Sequence, residues 1–72
     1  MQEVKINKKL LTTKEFAVLC KTTKRTIIHY DQIGLLKPYM REETRRLYTT
    51  QQVIVFEKIA LVVRQLHFLQ MV

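Results

Sequence analysis

The only glycine and the only proline of this 72-residue chain, Gly34 and Pro38, stand four positions apart. Every other reversal must be made by residues less suited to turning, so a mainly helical chain is expected, broken abruptly near its middle. Gly34 fits the left-handed position that ends helices, and the residue before Pro38 avoids helical backbone. "GLLKP" therefore reads as the end of one unit and an extended exit toward the next. A domain this small buries only about 60% of its unfolded surface. The lone cysteine, Cys20, cannot compensate with an internal disulfide, and it favours a reducing setting. There is no apolar run of the roughly 18 residues a membrane helix needs, and "MQEVKINKKL" has no signal-peptide core. A soluble, cytoplasmic protein with no membrane partner is expected.

Charge narrows the class further. The net charge is +7, from thirteen Lys/Arg and six Asp/Glu. Residues 1–48 carry eleven of the cations and five of the acids, while 49–72 carry two and one. The basic part and the apolar part are thus separate segments. Such an excess attracts polyanions, and inside cells nucleic acid is the commonest. The plainer alternative is that the charge only keeps a small protein in solution.

Start signals for three helices can be read along the chain. Thr12-Thr13-Lys14-Glu15 has capping-box form, opening a short helix with Phe16, Leu19 and Cys20 at helical spacing. Leu10 and Leu11 either staple onto that helix or form a short strand. Thr22 or Thr23 is the next N-cap, and from there a helix runs over about 23–32. At about 100° per residue, Thr23, Thr26, Ile27 and Tyr30 share one side of it, and Arg25, Ile28, His29 and Gln32 share the other. The first side packs; the second carries a cation and hydrogen-bonding groups. Residues 37–48, "KPYMREETRRLY", read as a small hairpin. Its middle lacks Gly and Asn, so a tight primed turn is not expected.

Thr49-Thr50-Gln51-Gln52 is a second capping-box pattern, opening the longest helix over about 50–66. Val53, Val55, Phe56, Ile59, Ala60, Val62, Val63 and Leu66 cover about half of its circumference. The polar half is interrupted every seven residues by Ile54, Leu61 and Phe68. A single-domain helix rarely needs a second apolar stripe, so these three are candidate partner-interface residues.

Two short helices joined tightly, the second with a basic outer face, make a helix-turn-helix, whose second helix enters the DNA major groove. The residues themselves resemble a known family. "LTTKEFAVLCKTTKRTIIHYDQIGLLKP", followed by "RRLY" and a polar-capped helix, looks like the N-terminal domain of the MerR (mercury-resistance regulator) family. The motifs that carry this are Arg25-Thr26, Tyr30-Asp31, Ile33-Gly34-Leu35-Leu36 with Pro38, and Arg46 with Tyr48. The resemblance covers about residues 10–69. It implies a mainly α winged helix-turn-helix: two short helices, a small β-hairpin wing, then a longer helix. It also implies a transcription regulator that binds a palindromic operator as a dimer, in many members activating promoters through DNA distortion. The implied boundaries are an N-terminal arm (1–9), the DNA-binding domain (10–69) and the start of a further segment (70–72). The family's dimerisation helix and effector domain are missing, and "FLQMV" ends without a cap, so a piece of a longer regulator is expected, with a natural mini-regulator as the alternative.

The DNA-binding residues implied are Thr23, Arg25, Ile28 and His29 on the helix and Arg45, Arg46 and Tyr48 on the wing, with Lys14, Lys24 and Lys37 adding charge. Arginine reads guanine, and apolar groups such as Ile28 touch thymine methyls. Three departures stand out. The family has Gly-Val in the turn where this chain has Lys21-Thr22, and a left-handed Lys21 costs on the order of 1 kcal/mol. The turn either carries that cost or takes another form. The family also favours Arg where Ile28 stands and an aromatic at His29, so its operator cannot be copied to this chain.

Other readings stay open. Lys21, Lys24 and Arg25 could be a solvated face, and Arg46 could pair with Glu42 or Glu43, both read as solvent-facing. Cys20 reads as a buried small hydrophobe rather than a sensor thiol. His67 could meet a helix dipole. One Cys and two distant His have no metal-ligand spacing, no phosphate loop is present, and no nucleophile–base pair stands out. No cofactor and no enzymatic role are expected; the partners expected are double-stranded DNA, a second copy and RNA polymerase. The alternatives are an excisionase-like DNA-bending recombination factor, and a protein-interaction module docking through Ile54, Leu61 and Phe68.

Overall fold

The computed structural model describes residues 9–70, with side chains to residue 66, so the expected arm (1–9) lies almost wholly outside the described residues, as do the side chains of His67 and Phe68. The chain runs β1 (Leu11–Thr12), α1 (Thr13–Leu19), α2 (Lys24–Gln32), β2 (Met40–Glu42), β3 (Arg45–Tyr48) and α3 (Gln51–Gln70). The strands form one antiparallel sheet in the order β1-β3-β2. This is the winged helix-turn-helix read from the sequence. Leu11 takes the strand alternative, pairing with Tyr48 while Thr12 pairs with Leu47.

Local signals account for the helix boundaries. Glu15 N–H donates to Thr12 Oγ1 at 3.2 Å and Thr12 N–H donates to Glu15 Oε1 at 2.9 Å, completing the capping box of α1. Thr23 rather than Thr22 caps α2: its Oγ1 accepts from Thr26 N–H. At α3, Thr49 N–H donates to Gln52 Oε1, and Gln52 Nε2 donates to the Lys37 carbonyl, tying the helix start to the segment leaving α2.

The C-termini of α1 and α2 are built alike. After α2, Gly34 sits at φ 81, with Gly34 N–H donating to Asp31 O and Leu35 N–H to Tyr30 O. After α1, Lys21 sits at φ 57, with Lys21 N–H donating to Val18 O and Thr22 N–H to Ala17 O. Both are Schellman motifs, one on glycine and one on lysine. Of the two forms open to this turn, Lys21 takes the left-handed one and carries its cost, because the motif places α2 against α1. Lys21→Gly is therefore expected to stabilise the domain by about 0.5–1 kcal/mol, the left-handed strain less the extra backbone entropy of glycine. A thermal melt checks this, with a rise of about 2–8 °C expected; an unchanged or lower midpoint would contradict it.

The wing differs from expectation. Glu42 pairs with Arg45 across the strands, leaving a two-residue loop, Glu43-Thr44, with Glu43 at φ 59. It is a tight turn with its first residue in the left-handed region, as in primed hairpin turns. Strand pairing on both sides enforces it without glycine.

The core gathers Leu11, Phe16, Ala17, Ile27, Tyr30, Leu36, Tyr48 and Phe56. Phe16 stacks on Tyr48 (centroids 4.3 Å apart, 9° between planes) and meets Phe56 edge-on at 6.5 Å; Phe56 in turn stacks on Tyr30 at 5.5 Å. These rings join β3, α1, α3 and α2. Leu19, at helical spacing from Phe16, is 48% exposed, because α1 buries Phe16 and Ala17 instead. The α3 stripe is narrower than its sequence suggested: Phe56 is buried, with Val53, Ile59, Ala60 and Val63 packed beside it, while Val55, Val62 and Leu66 are exposed. Among the described residues no further element covers them. No helix among the described residues is long and apolar enough to cross a membrane.

Candidate nucleic-acid interface

Capping by Thr23 starts α2 with Lys24 and Arg25 in its exposed first turn. Packing of Ile27 and Tyr30 into the core then fixes the helix's rotation. Arg25, Ile28, His29 and Gln32 accordingly line one outward-facing groove. A second groove joins three elements: Thr12, Thr13 and Lys14 at the start of α1, Lys24 and Ile28 of α2, and Thr44, Arg45 and Arg46 of the wing. Ile28, half-buried, lines both. The fold thus brings Lys14, Lys24, Arg25, Ile28, His29, Arg45 and Arg46 onto one continuous surface. Thr23 has its hydroxyl occupied: it accepts from Thr26 N–H and donates to Thr26 Oγ1 at 3.1 Å.

One wing residue is placed otherwise than expected, and a second has a different ion-pair partner. Tyr48 is wholly buried under Phe16 and offers no surface to DNA. Its hydroxyl has no hydrogen-bond partner among the described residues, and burial, then the nearby Asp31 carboxylate, push its pKa up. Arg46 pairs with neither Glu42 nor Glu43. Its Nε donates to Asp31 Oδ2 at 2.7 Å. The acid Glu42 is taken by Arg45 at 3.2 Å, an exposed pair worth about 1 kcal/mol at most.

Asp31, part of the Tyr30-Asp31 motif but given no role by the sequence, is the centre of the site's ion pairing. It is 3% exposed, yet it accepts from Arg41 Nη2 at 2.8 Å as well as from Arg46, with Lys37 Nζ at 3.8 Å. The Arg41 hydrogen bond, then that of Arg46, hold its carboxyl below the usual range against the opposing effect of burial. A carboxylate with a depressed pKa stabilises the fold above its unfolded pKa, and that contribution is lost as pH falls through the lowered value. A signal was available: Asp31 lies four residues after Ile27, on the packing side of α2, and an acid there has to find partners.

Cys20 is half-buried beside Phe56, Ala60, Val63 and Arg64. Burial, then Glu57, raise its thiol pKa to about 11. The thiol is protonated at neutral pH, so alkylation by iodoacetamide at pH 7.5 should run on the order of 100-fold slower than for an unperturbed cysteine. A rate matching a free thiol would contradict this placement. No group of three or more His, Cys, Asp or Glu able to hold a metal occurs among the described residues.

Residues 12–48, which span α1, α2 and the wing, match the family described as MerR family regulatory protein. The chain belongs to the MerR family. Consistent with that, it is 44% identical over 55 residues to the Multidrug-efflux transporter 2 regulator of Bacillus subtilis (strain 168), over 75% of this chain and 20% of that relative. The MerR chain therefore spans about a fifth of the length of the curated relative it matches. No solved structure matches it. Membership makes it a module of a regulatory protein; what it binds, and through which residues, is a separate question.

Proposed function

We propose that this MerR domain reads a specific duplex sequence, with α2 in the major groove and the wing on the flanking phosphate backbone, and so directs a regulator to its operator. The observation that carries this is the shared surface of the two grooves. Base-reading types (Arg25, Ile28, His29) occupy the outer face of α2, and cations from α1, α2 and the wing flank them. Lys14, Lys24, Arg45 and Arg46 serve as phosphate contacts that position the helix, and base-edge contacts then specify the sequence. Lys37, exposed and beside Asp31, adds charge near the wing. Binding as a dimer in the cytoplasm, and contact with RNA polymerase, extend the same reading to the whole regulator.

Selection from a random duplex library at two salt concentrations tests it. Enrichment of one motif that survives the higher salt is expected, along with a slope of log K against log salt of roughly −3 to −5 per domain from four or five phosphate contacts. Retention at low salt with no enriched sequence would reduce the basic surface to a general polyanion site. One observation supports a second reading, docking to a protein: Ile54 and Leu61 are 57% and 53% exposed on α3. On that reading alanine at Arg25 and Arg46 leaves function intact.

A further inference from the structure

Arg41 and Arg46 are directly opposed across the β2–β3 ladder, an arrangement of like charges that is unfavourable by itself. Both side chains turn to one carboxylate, Asp31, which belongs to α2 and not to the wing. Each wing strand is thereby bonded to the helix on which Arg25, Ile28 and His29 stand. One carboxylate meeting Arg41, Arg46 and Lys37 leaves the cluster with surplus positive charge. Arg46, 24% exposed at its side chain, bonds Asp31 through Nε and also lines the groove with Lys14, Lys24 and Thr44. A guanidinium has five N–H donors in a rigid fork, so anchoring Nε fixes where the others lie.

We propose that Asp31 is a positioning residue for DNA recognition: it aims Arg46 at a backbone phosphate in the groove between α1, α2 and the wing, and sets the angle between helix and wing. This rests on the DNA-reading function proposed above. The assignment has a distinctive sign. Asp31 is an acid beside a polyanion-binding surface, so on charge alone its removal should tighten binding. As a positioning residue, its removal weakens binding even though the chain becomes more positive.

The test measures affinity of the full chain for its selected duplex across a salt series, with Asp31→Asn, Arg46→Ala and Arg46→Lys compared below each variant's melting temperature. The expected result for Asp31→Asn is about 10-fold weaker binding and a salt slope smaller by about 0.9, one phosphate contact. The double variant Asp31→Asn/Arg46→Ala should bind no more weakly than Arg46→Ala. A merely structural role would lower the folded fraction and leave the slope of the folded protein unchanged. Tighter or unchanged binding by folded Asp31→Asn, with the wild-type slope, overturns the assignment. Should Asp31→Asn fail to fold, Arg46→Lys decides: it keeps the charge and loses the Nε–H bond, so positioning requires a loss close to that of Arg46→Ala, and wild-type affinity overturns it. Failure of the wild-type chain to select any duplex would instead sink the DNA-reading function itself, and would show without any variant.

Discussion

Phe16→Ala should leave the chain largely unfolded at 25 °C. Phe16 is fully buried, stacked on Tyr48 and edge-on to Phe56, so its ring joins the sheet, α1 and α3. Removing a buried phenylalanine ring costs about 3–5 kcal/mol in lost transfer energy and residual cavity. A domain below about 80 residues, with a single cysteine and no metal-ligand cluster among the described residues, rarely has more than about 3–5 kcal/mol to lose. The loss is thus comparable with the whole stability. Circular dichroism at 222 nm with a urea titration reads this directly. A cooperative transition within about 1 kcal/mol of wild type would mean that the aromatic cluster is not the centre of the core. Leu19→Ala supplies the contrast: the side chain is exposed despite its helical spacing from Phe16, and a change within about 0.5 kcal/mol is expected.

Arg25→Ala carries the second large effect, on binding rather than folding. Arg25 is exposed in the first turn of α2, has no ion pair among the described residues, and lines the outer groove with Ile28 and His29. Its removal should leave the melting temperature within a degree or two of wild type. On the proposed reading Arg25 makes a bidentate base contact, whose loss costs about 1–3 kcal/mol, roughly 5–150-fold in affinity for the selected duplex. The loss should be much smaller for random duplex, because phosphate contacts remain. Repeating the selection with the variant should show relaxed preference at one base-pair position. An equal loss on specific and random duplex would make Arg25 a phosphate contact and move base reading to Ile28 and His29.

How legible the molecule was depended on whether a residue's role is local. The capping box at Thr12 and Glu15, the cap at Thr23 and the left-handed Gly34 could all be read, because each is decided within four residues of chain. The left-handed Lys21 and Glu43 ran against residue type. Nothing local favours them; helix packing impose the first and strand pairing the second. The sequence puts Tyr48 and Arg46 on one wing strand, yet β3 is the central strand, so Tyr48 at its end is buried under α1, while Arg46 lines the groove and also reaches Asp31, fifteen residues earlier. Such a contact depends on the angle between wing and helix, which no short pattern encodes. On α3 the sequence overstated the buried stripe, since periodicity shows which residues share a face and not how much of that face a neighbour covers.

The most direct test of the central claim is dimethyl sulfate protection on the selected duplex. The reagent methylates guanine N7, an acceptor in the major groove, and adenine N3, an acceptor in the minor groove. With α2 in the major groove, bound protein should protect guanine N7 inside the selected motif, and Arg25→Ala should restore reactivity at one of those guanines. Binding at full occupancy with every guanine N7 still reactive, or with adenine N3 alone protected, would contradict major-groove reading by α2.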